Sequence, residues 1–145
     1  MFKHLLLPTD GSAASESAIR QAMEFAKATG ARVTGFHAMP EFHTFTANPD
    51  MLEDTREQFE KDREQQAHKF LAWIEAAARE ASVPCEVMYQ PAEHPYEAII
   101  NFAGERGCDL IAMASHGRRG MKGLLMGSET QKVLTHSKIP VLVYR

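Results

Sequence analysis

Short apolar runs alternate along this chain with longer stretches whose apolar residues recur every three or four positions, the patterns of buried strands and amphipathic helices. Phe2 to Leu7 reads as a strand stopped by Pro8. Thr9-Asp10-Gly11-Ser12 reads as a turn whose Ser12 caps the next helix. That helix spans Ala13 to Thr29 with Ala18, Ile19, Ala22, Met23, Phe25 and Ala26 on its apolar side, and Gly30 ends it. Ala31 to Met39 is a second strand, closed by Pro40. Glu41 to Asp50 contains Phe42, Phe45, Asn48 and Pro49 without a period and reads as a loop or lid.

A long helix follows from Met51 to Ala81, its stripe made by Leu52, Phe59, Phe70, Leu71, Ile74, Ala77 and Ala78, and its charged first half a solvated face. Cys85 to Tyr89 is a third strand and Gln90 to His94 a polar turn. Pro95 opens a third helix, carrying Tyr96, Ala98, Ile99, Ile100 and Phe102, that finishes near Gly107. Leu110 to Ala114 is a fourth strand, Glu129 to His136 a short helix, and Ile139 to Tyr144 a last strand. Strands alternating with helices predict an α/β fold, a doubly wound five-stranded parallel sheet with helices on both faces. The apolar continuity of the strands agrees, since both of their faces would be covered.

Composition narrows the function more than the fold. A length of 145 residues fits one domain with a real core. A net charge of −3 gives no attraction to nucleic acid or to an anionic membrane. Cys85 and Cys108 form no metal or redox motif and read as small apolar residues. Met1 leads almost directly into a strand, with no signal peptide and no apolar run near the roughly 20 residues of a membrane span, so a cytoplasmic location is expected.

The chemistry concentrates between Cys108 and Ser128. A buried strand breaks at Ser115-His116-Gly117 into a loop with Gly117, Gly120, Gly123 and Gly127 among Arg118, Arg119 and Lys122, and the chain resumes as a helix at Ser128. Glycines let the backbone approach an anion, a helix start adds N–H donors and the positive end of its dipole, and basic side chains close over the charge. The alternative is a surface loop with turn glycines, but the connection exceeds the usual length of about 2–6 residues, as binding loops often do. In a doubly wound sheet the ligand crevice lies beyond the strands' carboxyl ends, where winding reverses. If the first and fourth strands are neighbours there, the 8–12 turn joins the glycine loop. Asp10 then accepts from a ribose hydroxyl or holds a divalent cation, or else bonds its own turn. The end of the second strand, His37-Ala38-Met39, offers backbone groups to a base. No P-loop and no Rossmann fingerprint is present. Asp10, His116 and Glu129 are the candidates for a hydrolytic base, without a carboxylate pair or a Ser-His-Asp set. Ser128 reads as a helix cap or, alternatively, a phosphate acceptor.

The segments L-L-P-T-D-G-S, H-P-Y-E-A-I-I, C-D-L-I-A-M-A-S-H-G and K-I-P-V-L-V-Y, together with the loop, resemble the universal stress protein family over essentially the whole chain. Its ATP-binding members carry glycine, two residues, glycine, nine residues, then Gly-Ser or Gly-Thr. Gly117, the nine residues Arg118 to Met126 and Gly127-Ser128 match the second part, and Ala114 stands where the first glycine falls. An alanine there is compatible with the turn only if its φ is negative. The resemblance implies one nucleotide-binding domain over 1–145 with strand order 3-2-1-4-5, binding ATP with Mg or Mn and acting as a nucleotide-dependent stress-response switch. It places Pro8, Thr9 and Asp10 near the nucleoside and Ala38 against the adenine. Met113, Ala114, Gly117, Gly127, Ser128, Glu129 and Thr130 fall on the phosphate side, with Arg118 and Arg119 in the loop. It also implies a homodimer paired through the last strand, which would cover the apolar edge Pro140-Val141-Leu142-Val143. The alternatives are a weak ATPase or phosphotransferase, or a dimeric protein-interaction module without nucleotide.

Overall fold

The alternation of runs is realised as a single sheet in the computed structural model, which describes residues 1–42, 49–117 and 125–145, and for 49–54 the backbone only. In chain order the elements are β1 (His4–Pro8), α1 (Ala13–Thr29), β2 (Arg32–Pro40), α2 (Pro49–Ala81), β3 (Cys85–Ala92), α3 (Pro95–Glu105), β4 (Leu110–Ala114), α4 (Ser128–His136) and β5 (Val141–Tyr144). All pairings are parallel and the order is β3-β2-β1-β4-β5. The winding therefore reverses between β1 and β4, and a crevice opens above their carboxyl ends.

The two-residue period of the strands divides the core between the faces. Leu5, Leu7, Val33 and Leu110 pack against Ile19 and Met23 of α1 and Leu71 and Ile74 of α2. Leu6, Phe36, Ile111 and Met113 pack against Ile99 and Phe102 of α3 and Val133 of α4. Burying each such side chain contributes about 1.5–3 kcal/mol, which makes the strand ends a firm platform. Helix α2 lies close on the sheet at Gly35, where a Cβ would stand 2.9 Å from Ile74. The apolar stripes of α1 and α2 take in two residues that their pattern does not announce, Ser15 and Ala67.

Several boundaries move for identifiable reasons. β1 begins at His4 rather than Phe2 because the N–H groups of Lys3 and His4 donate to the Asp109 carboxylate, at 2.9 Å to Oδ2 and 3.0 Å to Oδ1. Burial works to raise the Asp109 pKa, but these N–H groups outweigh it and hold the carboxyl below its ordinary value. β1 also continues through Pro8, paired with Phe36. β3 runs on to Ala92, opposite Pro40, through part of the expected 90–94 turn. It is an edge strand, where Pro91 is tolerated. α2 starts two residues before Met51, with Pro49 in its first turn. Residues 43–48 of the expected loop or lid lie outside the described residues. β5 begins at Val141 rather than Ile139, because the Ile139 N–H turns back to Ser137 Oγ at 3.0 Å and Pro140 has no N–H. Among the described residues no helix is long and apolar enough to cross a membrane.

Candidate functional site

The turn after β1 is built as a self-supporting unit. Thr9 donates its N–H to Phe36 O at 2.9 Å, and Thr9 Oγ1 accepts the Gly11 N–H at 3.0 Å. Asp10 Oδ1 accepts the Ser12 N–H at 2.9 Å and the buried Ser15 hydroxyl at 2.8 Å. Ser12 caps α1 as its sequence position predicts, accepting the Ser15 N–H at 3.1 Å. Gly11 has φ +78°, and a Cβ there would run into the Phe70 ring of α2. Phe70 in turn meets the His37 ring edge-on at 5.1 Å, and His37 Nδ1 donates to Thr9 O at 2.8 Å. Helix α2 and β2 thus hold the turn from above.

The β4 side brings both ends of the glycine loop to the same place. A Cβ on Gly117 would collide with Asp10 Oδ2, so the loop leaves β4 directly against the carboxylate of the β1 turn. The loop returns at Gly127, whose N–H donates to Ser115 O at 2.6 Å. A Cβ on Gly127 would stand 3.0 Å from His116 Cα and 3.3 Å from Ser115 O, against backbone that has little room to give. Ala114 settles the conformational condition set by its side chain: Ser82 is the only non-glycine with positive φ among the described residues, so Ala114 lies in ordinary strand conformation opposite Tyr144.

Helix α4 starts at this junction. Gly127 is its N-cap, with φ −61° and ψ 150°, and Ser128 is its first helical residue rather than the cap. Gln131 N–H is the first to close on the cap, at 3.0 Å to Gly127 O. The N–H groups of Ser128, Glu129 and Thr130 consequently have no acceptor within the helix and point back toward the loop. Thr130 Oγ1 donates to Ala114 O at 2.9 Å and locks the helix start onto the end of β4.

Pro8, Thr9, Asp10, Met113, Ala114, Gly117, Gly127, Ser128 and Thr130 therefore gather around the ends of β1 and β4. Ala38 stands one strand away, on the same α3/α4 face as Met113. Arg118 and Arg119 lie outside the described residues. The Glu129 side chain turns to α3 while its N–H stays at the helix start: Oε2 accepts the Tyr96 N–H at 3.0 Å, capping α3, and Lys132 lies 3.6 Å from Oε1. His94, the α3 N-cap, makes no side-chain cap bond, which is why the carboxylate has room there. The side chains of Ser15, His37 and Phe70 complete the turn without a local signal in the sequence, because their partners are set by the fold. Among the described residues no group of three metal-ligating side chains forms. A groove of about 410 Å³ opens between α1 and α2, lined by Met23, Trp73 and charges of both signs, away from the strand ends.

The class is an α/β domain with a doubly wound parallel sheet, its switch point carrying both ends of a glycine-rich loop and a helix N-terminus. The model of the universal stress protein family matches residues 1–145. The universal stress protein in the QAH/OAS sulfhydrylase 3′ region of Thermus aquaticus is 34% identical over the whole of both chains, and YxiE of Bacillus subtilis is 31% identical, again over the whole of both. The solved structure of MJ0577 from Methanocaldococcus jannaschii superposes with a TM-score of 0.84 at 26% identity, covering 99% of this chain and 95% of that one. The chain belongs to the universal stress protein family.

Proposed function

We propose that this chain binds an adenine nucleotide, ATP, in the crevice between β1 and β4 and serves as a nucleotide-dependent switch in stress response. The observation that carries the reading is the paired closure at Gly117 and Gly127, where neither end of the loop has space for a Cβ. Nine residues separate the two glycines in sequence, and the N–H groups that open α4 follow directly after Gly127. In this reading the phosphates lie against the Ser128–Thr130 N–H groups, with Arg118 and Arg119 closing over them and Mg or Mn accompanying the triphosphate. Asp10 and the Pro8-Thr9 backbone face the nucleoside, Ala38 lies against the adenine, and Met113 and Ala114 line the phosphate side. Glu129 contributes its backbone N–H, its carboxylate being committed to α3. Universal stress proteins of this fold have been solved in complex with cAMP and, from Archaeoglobus fulgidus, with dAMP. At 22% and 20% identity those two share the fold, so the reading rests on this chain's own glycines.

Self-association through β5 is part of the same proposal. β5 is an edge strand whose four residues are all partly exposed, and an unpaired apolar edge invites a second copy. The nucleotide reading is tested by amide spectra of the labelled protein. ATP is expected to move the Gly117, Gly127, Ser128, Glu129 and Thr130 signals in the wild type and to leave them in place in Gly127→Val. Shifts confined to other residues, or equal shifts in the variant, contradict the reading.

A further inference from the structure

Ser15 is the one polar side chain buried on the core-facing side of α1, 6% exposed among Ala18, Ile19, Ala22 and Met23. Its hydroxyl hydrogen has a defined destination. Asp10 Oδ1, 2.8 Å away, is a carboxylate oxygen and can only accept, so Ser15 donates to it. The Ser12 hydroxyl donates to Ser15 Oγ at 3.1 Å, and the Ser12 N–H donates to the same Oδ1 at 2.9 Å. Two donors on one oxygen fix the plane of the carboxylate, and that plane puts the other oxygen, Oδ2, against Gly117. Rotating the carboxylate would drive an oxygen into the loop or withdraw it from the crevice.

We propose that Ser15 is a positioning residue for the crevice: from inside the core it sets the Asp10 carboxylate, and through it the point where the glycine loop leaves β4. The proposal rests on the nucleotide reading for its effect on affinity, but not for its effect on the loop. A hydroxyl is required at position 15 and a cap is required at position 12, so the two serines of this turn have separate duties. The Ser12 side chain caps the helix and orients the Ser15 hydroxyl, and the Ser15 side chain acts on the carboxylate.

The experiment uses the full chain with Ser15→Ala, Ser15→Thr, Asp10→Ala and the Ser15→Ala/Asp10→Ala double variant. The first readout needs no ligand. Ser15→Ala is expected to shift the Gly117 amide signal while leaving the Gly30 amide, at the other end of α1, in place, and Ser15→Thr is expected to restore it. The second readout is ATP affinity by calorimetry. Loss of a hydrogen bond to a charged group predicts a weakening of about tenfold in Ser15→Ala. In the Asp10→Ala background the same change is expected to alter affinity less than about twofold, since the residue acts through the carboxylate. An unmoved Gly117 amide in Ser15→Ala overturns the proposal, as does an Ser15→Ala effect on affinity that adds in full to that of Asp10→Ala. Wild type that binds no ATP removes the nucleotide reading alone, and the Gly117 amide still decides the role of Ser15.

Discussion

Replacing Gly11 by alanine tests whether α2 holds the β1 turn. Gly11, Gly30 and Gly107 all have positive φ, at +78°, +71° and +70°. Only at Gly11 does the added Cβ meet anything: it enters the Phe70 ring, standing 2.7 Å from Cδ1 and closer still to two other ring atoms, whereas at Gly30 and Gly107 it meets open space. The left-handed backbone costs an L-residue about 1–2 kcal/mol, so Gly30→Ala and Gly107→Ala should each lose about that much. Gly11→Ala carries the same cost plus that of displacing a ring by more than an ångström, about 1–3 kcal/mol as for other overpacked sites. The expected total is about 2–5 kcal/mol. For a chain of 145 residues each kcal/mol lowers Tm by about 3 °C. Urea denaturation of the three variants measures both terms, and Gly11→Ala in a Phe70→Ala background isolates the ring, where the excess over Gly30→Ala should disappear. A Gly11→Ala loss within about 0.5 kcal/mol of Gly30→Ala refutes the contact between α2 and the turn.

His4 and the two cysteines give further tests. His4 is buried, with Nε2 2.7 Å from Thr34 Oγ1, and burial, followed by Arg32, lowers its pKa below the ordinary 6.5. The folded protein then binds fewer protons than the unfolded chain, so this stability is present above about pH 6.5 and is lost as pH falls toward the folded value. Urea midpoints between pH 7.5 and 5 should fall less in His4→Gln than in wild type, and equal slopes would contradict the assignment. Burial pushes the Cys85 and Cys108 thiols up to about 11, helped by Glu75 and Asp109 respectively. Their thiolate fraction at pH 8 should be roughly a hundredfold below that of an ordinary thiol, so native alkylation followed by mass spectrometry should find both slow to react. Labelling of either at the rate of a small thiol would contradict the burial.

Much of the scaffold was legible because it is written locally. The helix cap at Ser12, the left-handed glycine at position 30 and the alternation of strands and helices each depend on residues close in sequence. The glycine loop was legible for the same reason, as a spacing between Gly117 and Gly127. What escaped involves partners far apart in the chain. Asp109 clamps Lys3 across 106 positions, and nothing around either residue signals it. Glu129 is a candidate base by its sequence and a phosphate-side residue by resemblance, yet its carboxylate serves the start of α3, 33 positions earlier. Gly11 is recognisable as a turn glycine, but its second constraint, the Phe70 ring, exists only once α2 lies across the sheet. Ser15 breaks the apolar face of α1, and its purpose appears only when Asp10 is seen to lean on Gly117. Ala114, a departure from the family's spacing, becomes intelligible from its conformation: an ordinary strand residue has no need of glycine.

The central claim is that the junction of β1, β4 and α4 binds ATP, and calorimetric titration of the nucleotide-stripped protein with ATP, ADP and AMP, with and without magnesium, tests it most directly. The account predicts saturable binding of ATP at micromolar concentration or tighter, about −8 kcal/mol or better, weakening as phosphates are removed. No heat at millimolar ATP, or equal affinity for all three nucleotides, would contradict a site built around the phosphates.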